Sequence, residues 1–136
     1  LKGTGVYGDP GIAEAVRKDK FGVGYNNINF AYDRDTKKLV KGLSIIPVDI
    51  NENGRIDADE NIYETRDILT AAIAEGKYPS PPARKLYFVI KKNTINPELK
   101  KFITWVLTDG QKYVKESGYI SLHKNDIKNS IDKLEK

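Results

Sequence analysis

The sequence predicts an α/β protein in which helices and strands alternate. Segments with apolar residues at helical spacing are interleaved with short runs rich in β-branched and aromatic residues, and no internal repeat is present. Hydrophobic residues make up 39% of the 136 positions and charged residues 31%, so a packed core is expected rather than wholesale disorder.

Asp9-Pro10 opens the first helix, because Asp caps and Pro suits the first turn. Ile12, Ala15 and Val16 supply its apolar stripe, which runs out near Asp19-Lys20. Phe21-Gly-Val-Gly-Tyr25 predicts a short buried strand whose glycines admit neighbouring backbone. From Asn26 to Tyr32 the pattern is ambiguous; Ile28 and Tyr32 share a face if the chain makes a helical turn. Leu43-Ser-Ile-Ile-Pro-Val48 predicts a strand that Pro47 pushes towards a sheet edge or a strand end.

Residues 65–75 predict a helix with Ile68, Leu69, Ala72 and Ile73 inward and Gly76 as its stop. Tyr78-Pro-Ser-Pro-Pro82 is a stiff, extended connector, and it predicts a boundary between residues 1–77 and 83–136. Leu86-Tyr-Phe-Val-Ile90 predicts the next strand. Asn96-Pro97 opens the clearest helix, with Leu99, Phe102, Ile103, Val106 and Leu107 along one stripe. A further turn or two carries Tyr113 and Val114 to a stop at Gly118, and Ile127, Ile131 and Leu134 mark a last amphipathic helix.

Composition removes whole classes of chemistry. With no Cys there are no disulfides, thiolate metal sites, iron–sulfur clusters or cysteine nucleophiles. No apolar run approaches the roughly 20 residues that cross a bilayer as a helix. The opening Leu1-Lys2-Gly3 has neither an initiator Met nor the regions of a signal peptide, so processing or a cut chain is expected, with any export signal upstream. The net charge of +4 is uneven: residues 1–77 hold 11 basic and 13 acidic side chains, and residues 78–136 hold 12 and 6. Most lysines of the basic half sit at helix-exposed spacings without interleaved aromatics, which favours a solvated surface over nucleic-acid binding.

The strongest chemical signal is Asp49-Ile-Asn51-Glu-Asn53-Gly54-Arg55-Ile56-Asp57-Ala-Asp-Glu60. It matches the calcium-loop pattern D-x-[DN]-x-[DN]-G-x5-E at every fixed position. Calcium takes six to eight oxygens, so Asp49, Asn51 and Asn53 are expected on one side of it. Gly54 permits the sharp turn, the Arg55 carbonyl adds a main-chain oxygen, Asp57 binds directly or through water, and Glu60 closes the shell with two oxygens. A strand rather than a helix is predicted before the loop, and no second loop exists to pair with it. The expectation is therefore an EF-hand-like loop between a strand and a helix that holds a fixed structural Ca2+, not a sensor that opens a groove.

Other constellations are thin. Gly3-Thr-Gly5-Val-Tyr-Gly8 fits G-x-G-x-x-G, but no strand precedes it and Asp9 would repel a pyrophosphate, so a Gly-rich lead-in to a helix is expected. His123 has no evident partner and reads as a solvated or capping residue. Asn26 and Asn27 follow a glycine-containing strand, where they would face a cleft and donate to an anion or, more simply, shape a turn. No catalytic constellation stands out, and a non-enzymatic role is expected.

The order of segments resembles the C-terminal part of the phosphate-binding proteins of ABC transporters, which have the type II periplasmic-binding-protein fold. Gly8-Asp-Pro-Gly-Ile-Ala-Glu-Ala-Val16 followed by Phe21-Gly-Val-Gly-Tyr25 resembles that family's helix leading into its glycine–tyrosine strand. Tyr78-Pro79 with Arg84-Lys-Leu-Tyr-Phe-Val-Ile90 resembles the segment that returns the chain to the first lobe. Phe102-Ile-Thr-Trp-Val-Leu-Thr-Asp-Gly-Gln-Lys-Tyr-Val114, with Gly118-Tyr-Ile-Ser-Leu122, resembles its closing helix and the stretch after it. The family's Ser/Thr-rich turns, Asp, Arg and Ser-Gly-Thr motif that grip phosphate have no counterpart here, and the calcium loop is an addition to its pattern.

The resemblance implies an extracytoplasmic solute-binding component for phosphate or a similar oxyanion, working with a membrane permease. Residues 1–77 would belong to the second lobe, 78–82 to a crossover, and 83–136 to the return to the first lobe. The alternative is a free-standing, calcium-stabilised extracellular interaction module. Unpaired sheet edges would in either case invite a homodimer or a swapped assembly, with residues 78–82 as its hinge.

Overall fold

The computed structural model describes residues 3–91 and 94–135; the opening Leu1-Lys2 lies outside them. The chain divides into two compact units, Leu1–Pro79 and Ser80–Lys136.

The first unit begins with helix α1 (Gly8–Lys18). Asp9 stands inside its first turn rather than capping it, where a carboxylate favours the positive end of the helix. Arg17 and Lys18 occupy the last turn and pair with Glu14 at 3.0 and 3.2 Å. The chain then passes through residues 21–25 without joining a ladder among the described residues, where a buried strand was expected. Gly24 is what holds this segment to α1. A Cβ on it would stand 2.7 Å from Ile12 Cγ2 and 2.9 Å from Val16 Cγ2, so the apolar stripe of α1 lies against bare backbone. The alternate residues turn outward, and Phe21, Val23 and Tyr25 are 85%, 79% and 68% exposed.

The ambiguous stretch resolves as a single helical turn, α2 (Ile28–Ala31), capped by Asn27, whose Oδ1 accepts from the Asn29 N–H at 3.0 Å. Tyr32 follows and is buried to 2% exposure, in a core with Ile62, Tyr63, Leu69 and Ala72. Its phenol donates to the Tyr63 carbonyl at 2.8 Å. Among the described residues, β-pairing amounts to two isolated bridges, Tyr32 with Leu39 and Lys38 with Thr65. The segment 43–48, expected as a strand, has no ladder partner among the described residues: Ile45 packs on the core while Ile46 stays 69% exposed. Helix α3 (Arg66–Ala74) is capped by Thr65, whose hydroxyl accepts from the Ile68 N–H at 3.2 Å. Leu69 and Ala72 are buried and Ile73 is partly so, but Ile68, expected inward, is 43% exposed at the edge of the apolar arc. Gly76, at φ +74, ends the helix as expected.

Burial of Tyr32, with Tyr63 and Tyr78 adding to it, pushes the Tyr32 phenol up from 10.0 to about 12. Ionisation is thus easier in the unfolded chain than in the folded one. The stability this group contributes is fully present below pH 10 and is lost as pH rises towards about 12. Alkaline unfolding followed by tyrosinate absorbance should show Tyr32 titrating with the unfolding transition, and Tyr32→Phe should flatten that part of the pH dependence.

The second unit is built on α4 (Pro97–Leu107), with Ile103 and Leu107 buried. Asn96 caps it, its Oδ1 accepting from the Leu99 N–H at 2.8 Å, and Pro97 takes the first helical position. Asn96→Ala should cost about 1 kcal/mol, measured by urea unfolding, because it deletes that bond. A 3-10 turn at Asp109–Tyr113 follows, with Trp105 and Tyr113 rings 6.2 Å apart. The last helix, α5 (Lys124–Leu134), packs with α4. Gln111 ties the intervening segment back: its Nε2 donates to the Val106 carbonyl at 2.8 Å, and its Oε1 accepts from the Leu122 N–H at 2.9 Å. Residues 86–90, expected as a strand, join no ladder among the described residues. In all three segments the side-chain pattern is strand-like, but a strand exists only with a neighbour to bond.

Candidate metal centre

Residues 49–60 fold into a loop whose chemical groups turn inward. Gly54 takes φ +79, the left-handed conformation that lets the chain reverse, and its N–H donates to Asp49 Oδ2 at 2.7 Å. The Asn53 N–H donates to Asp49 Oδ1 at 3.2 Å and to Asn51 Oδ1 at 3.0 Å, while the Arg55 N–H donates to Asn53 Oδ1 at 2.9 Å. These bonds are local and follow from Asp and Asn at alternate positions, each side chain accepting from backbone further on.

Two longer-range features close the loop. Asp57 Oδ2 accepts from both amides, Asn51 Nδ2 at 3.0 Å and Asn53 Nδ2 at 2.7 Å. Glu60 reaches back across the ring and is only 3% exposed. Its Oε1 accepts from the N–H groups of Ile50 and Asn51 at 2.8 and 3.1 Å, and its Oε2 accepts from the Asp57 N–H at 3.0 Å. A buried carboxylate is tolerable here because three donors stabilise its charge.

Of the five expected side chains, Asn51 and Asn53 bond Asp57, whereas Asp49 and Glu60 bond backbone N–H groups of the same loop. In this arrangement the two Asn amides point their nitrogens at Asp57, taking the part of positive charge. A half-turn of each amide presents its oxygen instead, which is the donor set that suits a hard cation. By residue type the loop could offer a hard cation the carboxylate oxygens of Asp49, Asp57 and Glu60, the amide oxygens of Asn51 and Asn53, and the Arg55 carbonyl. Among the described residues there is no ready-made cluster of three or more Asp, Glu or His side chains in a metal-holding arrangement.

The exit from the loop differs from a helical hand. The chain passes through Ile62 and Tyr63, both buried, before α3 begins at Arg66. Tyr63 joins loop to core from both ends: its phenol oxygen accepts from the Val48 N–H at 3.0 Å, and its carbonyl accepts from Tyr32. Sequence reading missed Tyr63 because a Tyr beside an Ile looks like simple packing. Its place just after the loop is the signal that would have found it.

The remaining expected residues are placed locally. Asn26 Nδ2 donates to the Asp9 carbonyl at 2.9 Å and its Oδ1 accepts from the Asn27 N–H at 2.8 Å, and the Asn27 side chain caps α2. His123 is exposed at the N-cap position of α5, with no side-chain cap bond. Among the described residues no helix is long and apolar enough to cross a membrane.

The chain is similar to two curated relatives. It is 25% identical over 127 residues to the phosphate-binding protein PstS of Staphylococcus haemolyticus (strain JCSC1435), which covers 92% of this chain and 35% of the relative. It is 24% identical over 124 residues to the phosphate-binding protein PstS of Staphylococcus saprophyticus subsp. saprophyticus, covering 91% and 34%. The chain thus spans about a third of the length of the relatives it matches. No protein-family profile and no solved structure matches it.

Proposed function

We propose that this chain is part of a non-enzymatic solute-binding component that takes up phosphate or a related oxyanion through an ABC-type permease outside the cytoplasm. The observation that carries this reading is the similarity to phosphate-binding relatives over nine-tenths of the chain. In this reading the chain belongs to a type II periplasmic-binding-protein fold. Residues 1–77 come from the second lobe, 78–82 form the crossover, and 83–136 return to the first lobe. The segments 21–25, 43–48 and 86–90 would then be strands of sheets completed elsewhere in that fold. Asn26 and Asn27 would stand near the anion as weak donors, and lobe closure would secure it.

We further propose that the loop at 49–60 holds a structural calcium ion through Asp49, Asn51, Asn53, the Arg55 carbonyl, Asp57 and Glu60, on the strength of its match to the calcium-loop pattern. The same pattern allows a second reading, a free-standing calcium-stabilised interaction module. Isothermal titration with inorganic phosphate, on this chain and on the full product of its gene, separates the two. Binding in the longer chain supports the transport reading, and no binding in either supports the module. Exchange of C-terminal elements between copies through residues 78–82 is the assembly both readings allow, and a sharp monomer mass by light scattering at high concentration removes it.

A further inference from the structure

We propose that Asn53 is a site of spontaneous modification: the Gly54 nitrogen displaces the Asn53 amide, leaving a carboxyl group where an amide now braces Asp57. Asn53 is exposed, and Gly54 brings no side chain of its own to the attacking nitrogen. A Cβ built on Gly54 would meet nothing within 4 Å, so no neighbouring group crowds the approach. Three contacts act on the reacting atoms. The Gly54 N–H donates to Asp49 Oδ2 at 2.7 Å, which draws the proton away from the nitrogen that attacks. The Arg55 N–H donates to Asn53 Oδ1 at 2.9 Å, where negative charge builds as Cγ becomes tetrahedral. Asn53 Nδ2, the departing group, donates to Asp57 Oδ2 at 2.7 Å, which fixes the amide plane until it leaves.

Water is the one reagent the chemistry consumes. The Gly54 nitrogen gives up its proton and bonds to Asn53 Cγ, closing a five-membered imide. The Cγ–Nδ2 bond breaks, and Nδ2 leaves as ammonia, taking that proton by way of solvent. One water then opens the ring at either carbonyl. One opening gives an aspartyl residue, and the other an isoaspartyl residue whose main chain runs through the former side chain. Both products set a new negative charge beside Asp57 and delete the donor that Asp57 Oδ2 accepts, so the loop closes less well without a cation. The reaction belongs to the ion-free loop and stands whether or not calcium binds there. Asn129-Ser130 offers a contrast. It lies inside α5, where helical geometry turns the following nitrogen along the helix axis and away from the side chain.

The test is a time course of the whole chain, kept warm at neutral pH in chelator beside a synthetic peptide of residues 49–60. Digestion and mass spectrometry give the amide remaining at each Asn. The Asn53 amide should disappear at least as fast in the chain as in the peptide, with both acid isomers present. Its loss should also be about tenfold or more faster than loss at Asn129, because only the loop leaves the reacting atoms free to meet. A fresh Asn53→Asp variant carries the aspartyl product from the start, and in chelator it should melt below the parent. Slower loss in the chain than in the peptide would mean that the loop's bonds protect the amide, and would overturn the proposal. Equal loss at Asn129, or a melting temperature unmoved by Asn53→Asp, would overturn it as well.

Discussion

Glu60→Gln is expected to destabilise the first unit twice over. Without calcium the loss should be about 2 kcal/mol, because the buried carboxylate accepts three backbone N–H bonds and an amide can replace only one of its two acceptor oxygens. With calcium the variant should also forgo what the ion adds to the parent, roughly 2.7 kcal/mol at about 100 Kd. The affinity expected is modest, on the order of 10⁻⁴–10⁻³ M, since Asn stands at two ligand positions and no paired loop stiffens the site. Asp49→Asn should do nearly as much, as Asp49 accepts from the Asn53 and Gly54 N–H groups and would lose a ligand of the proposed ion. Glu52→Gln, exposed and outside the ligand positions, should do little. Melting curves with calcium and with chelator decide this; superimposed curves for the parent would leave the loop as a turn without an ion.

Leu69→Ala should cost about 2–4 kcal/mol, because it opens a cavity in the middle of the first unit's core among Tyr32, Ile62, Tyr63 and Ala72. Leu69→Met, which keeps most of the volume, should cost less than about 1.5 kcal/mol. Urea unfolding gives the size of each loss, and amide exchange shows where it falls. Protection lost from α3 and the 62–63 segment locates the damage in that core. Retained protection there would mean Leu69 packs loosely despite its 6% exposure.

The helices were legible in the sequence because their evidence is local. Asn96-Pro97, Thr65, Gly76 and the apolar spacing from Leu99 to Leu107 each specify a cap, a stop or a face within one or two turns of chain. The strands were not, because residues 21–25, 43–48 and 86–90 carry the side chains of strands while a ladder depends on a neighbour that local pattern does not encode. Gly24 is a partial exception: glycine in an apolar run did signal close approach, but of a helix rather than of another strand. In the loop, the alternation of Asp and Asn anticipated the side chain to backbone bonds of Asp49, Asn51 and Asn53. The roles of Tyr63 and Gln111 were hidden because each acts on a backbone group brought near only by folding.

The position of Trp105 has an optical consequence. It is the one Trp in the sequence, and it lies in Ser80–Lys136, so indole emission belongs to one of the two compact units alone. The loop at 49–60 belongs to the other, whose aromatic side chains at Tyr32, Tyr63 and Tyr78 contribute to the phenolic band. Spectra excited at the red edge, where only indole absorbs, therefore follow the second unit without interference. The difference from spectra excited further to the blue contains the first. An ion that tightens the first unit alone would change the phenolic difference spectrum and leave the indole trace still, which makes the unlabelled protein its own two-channel instrument.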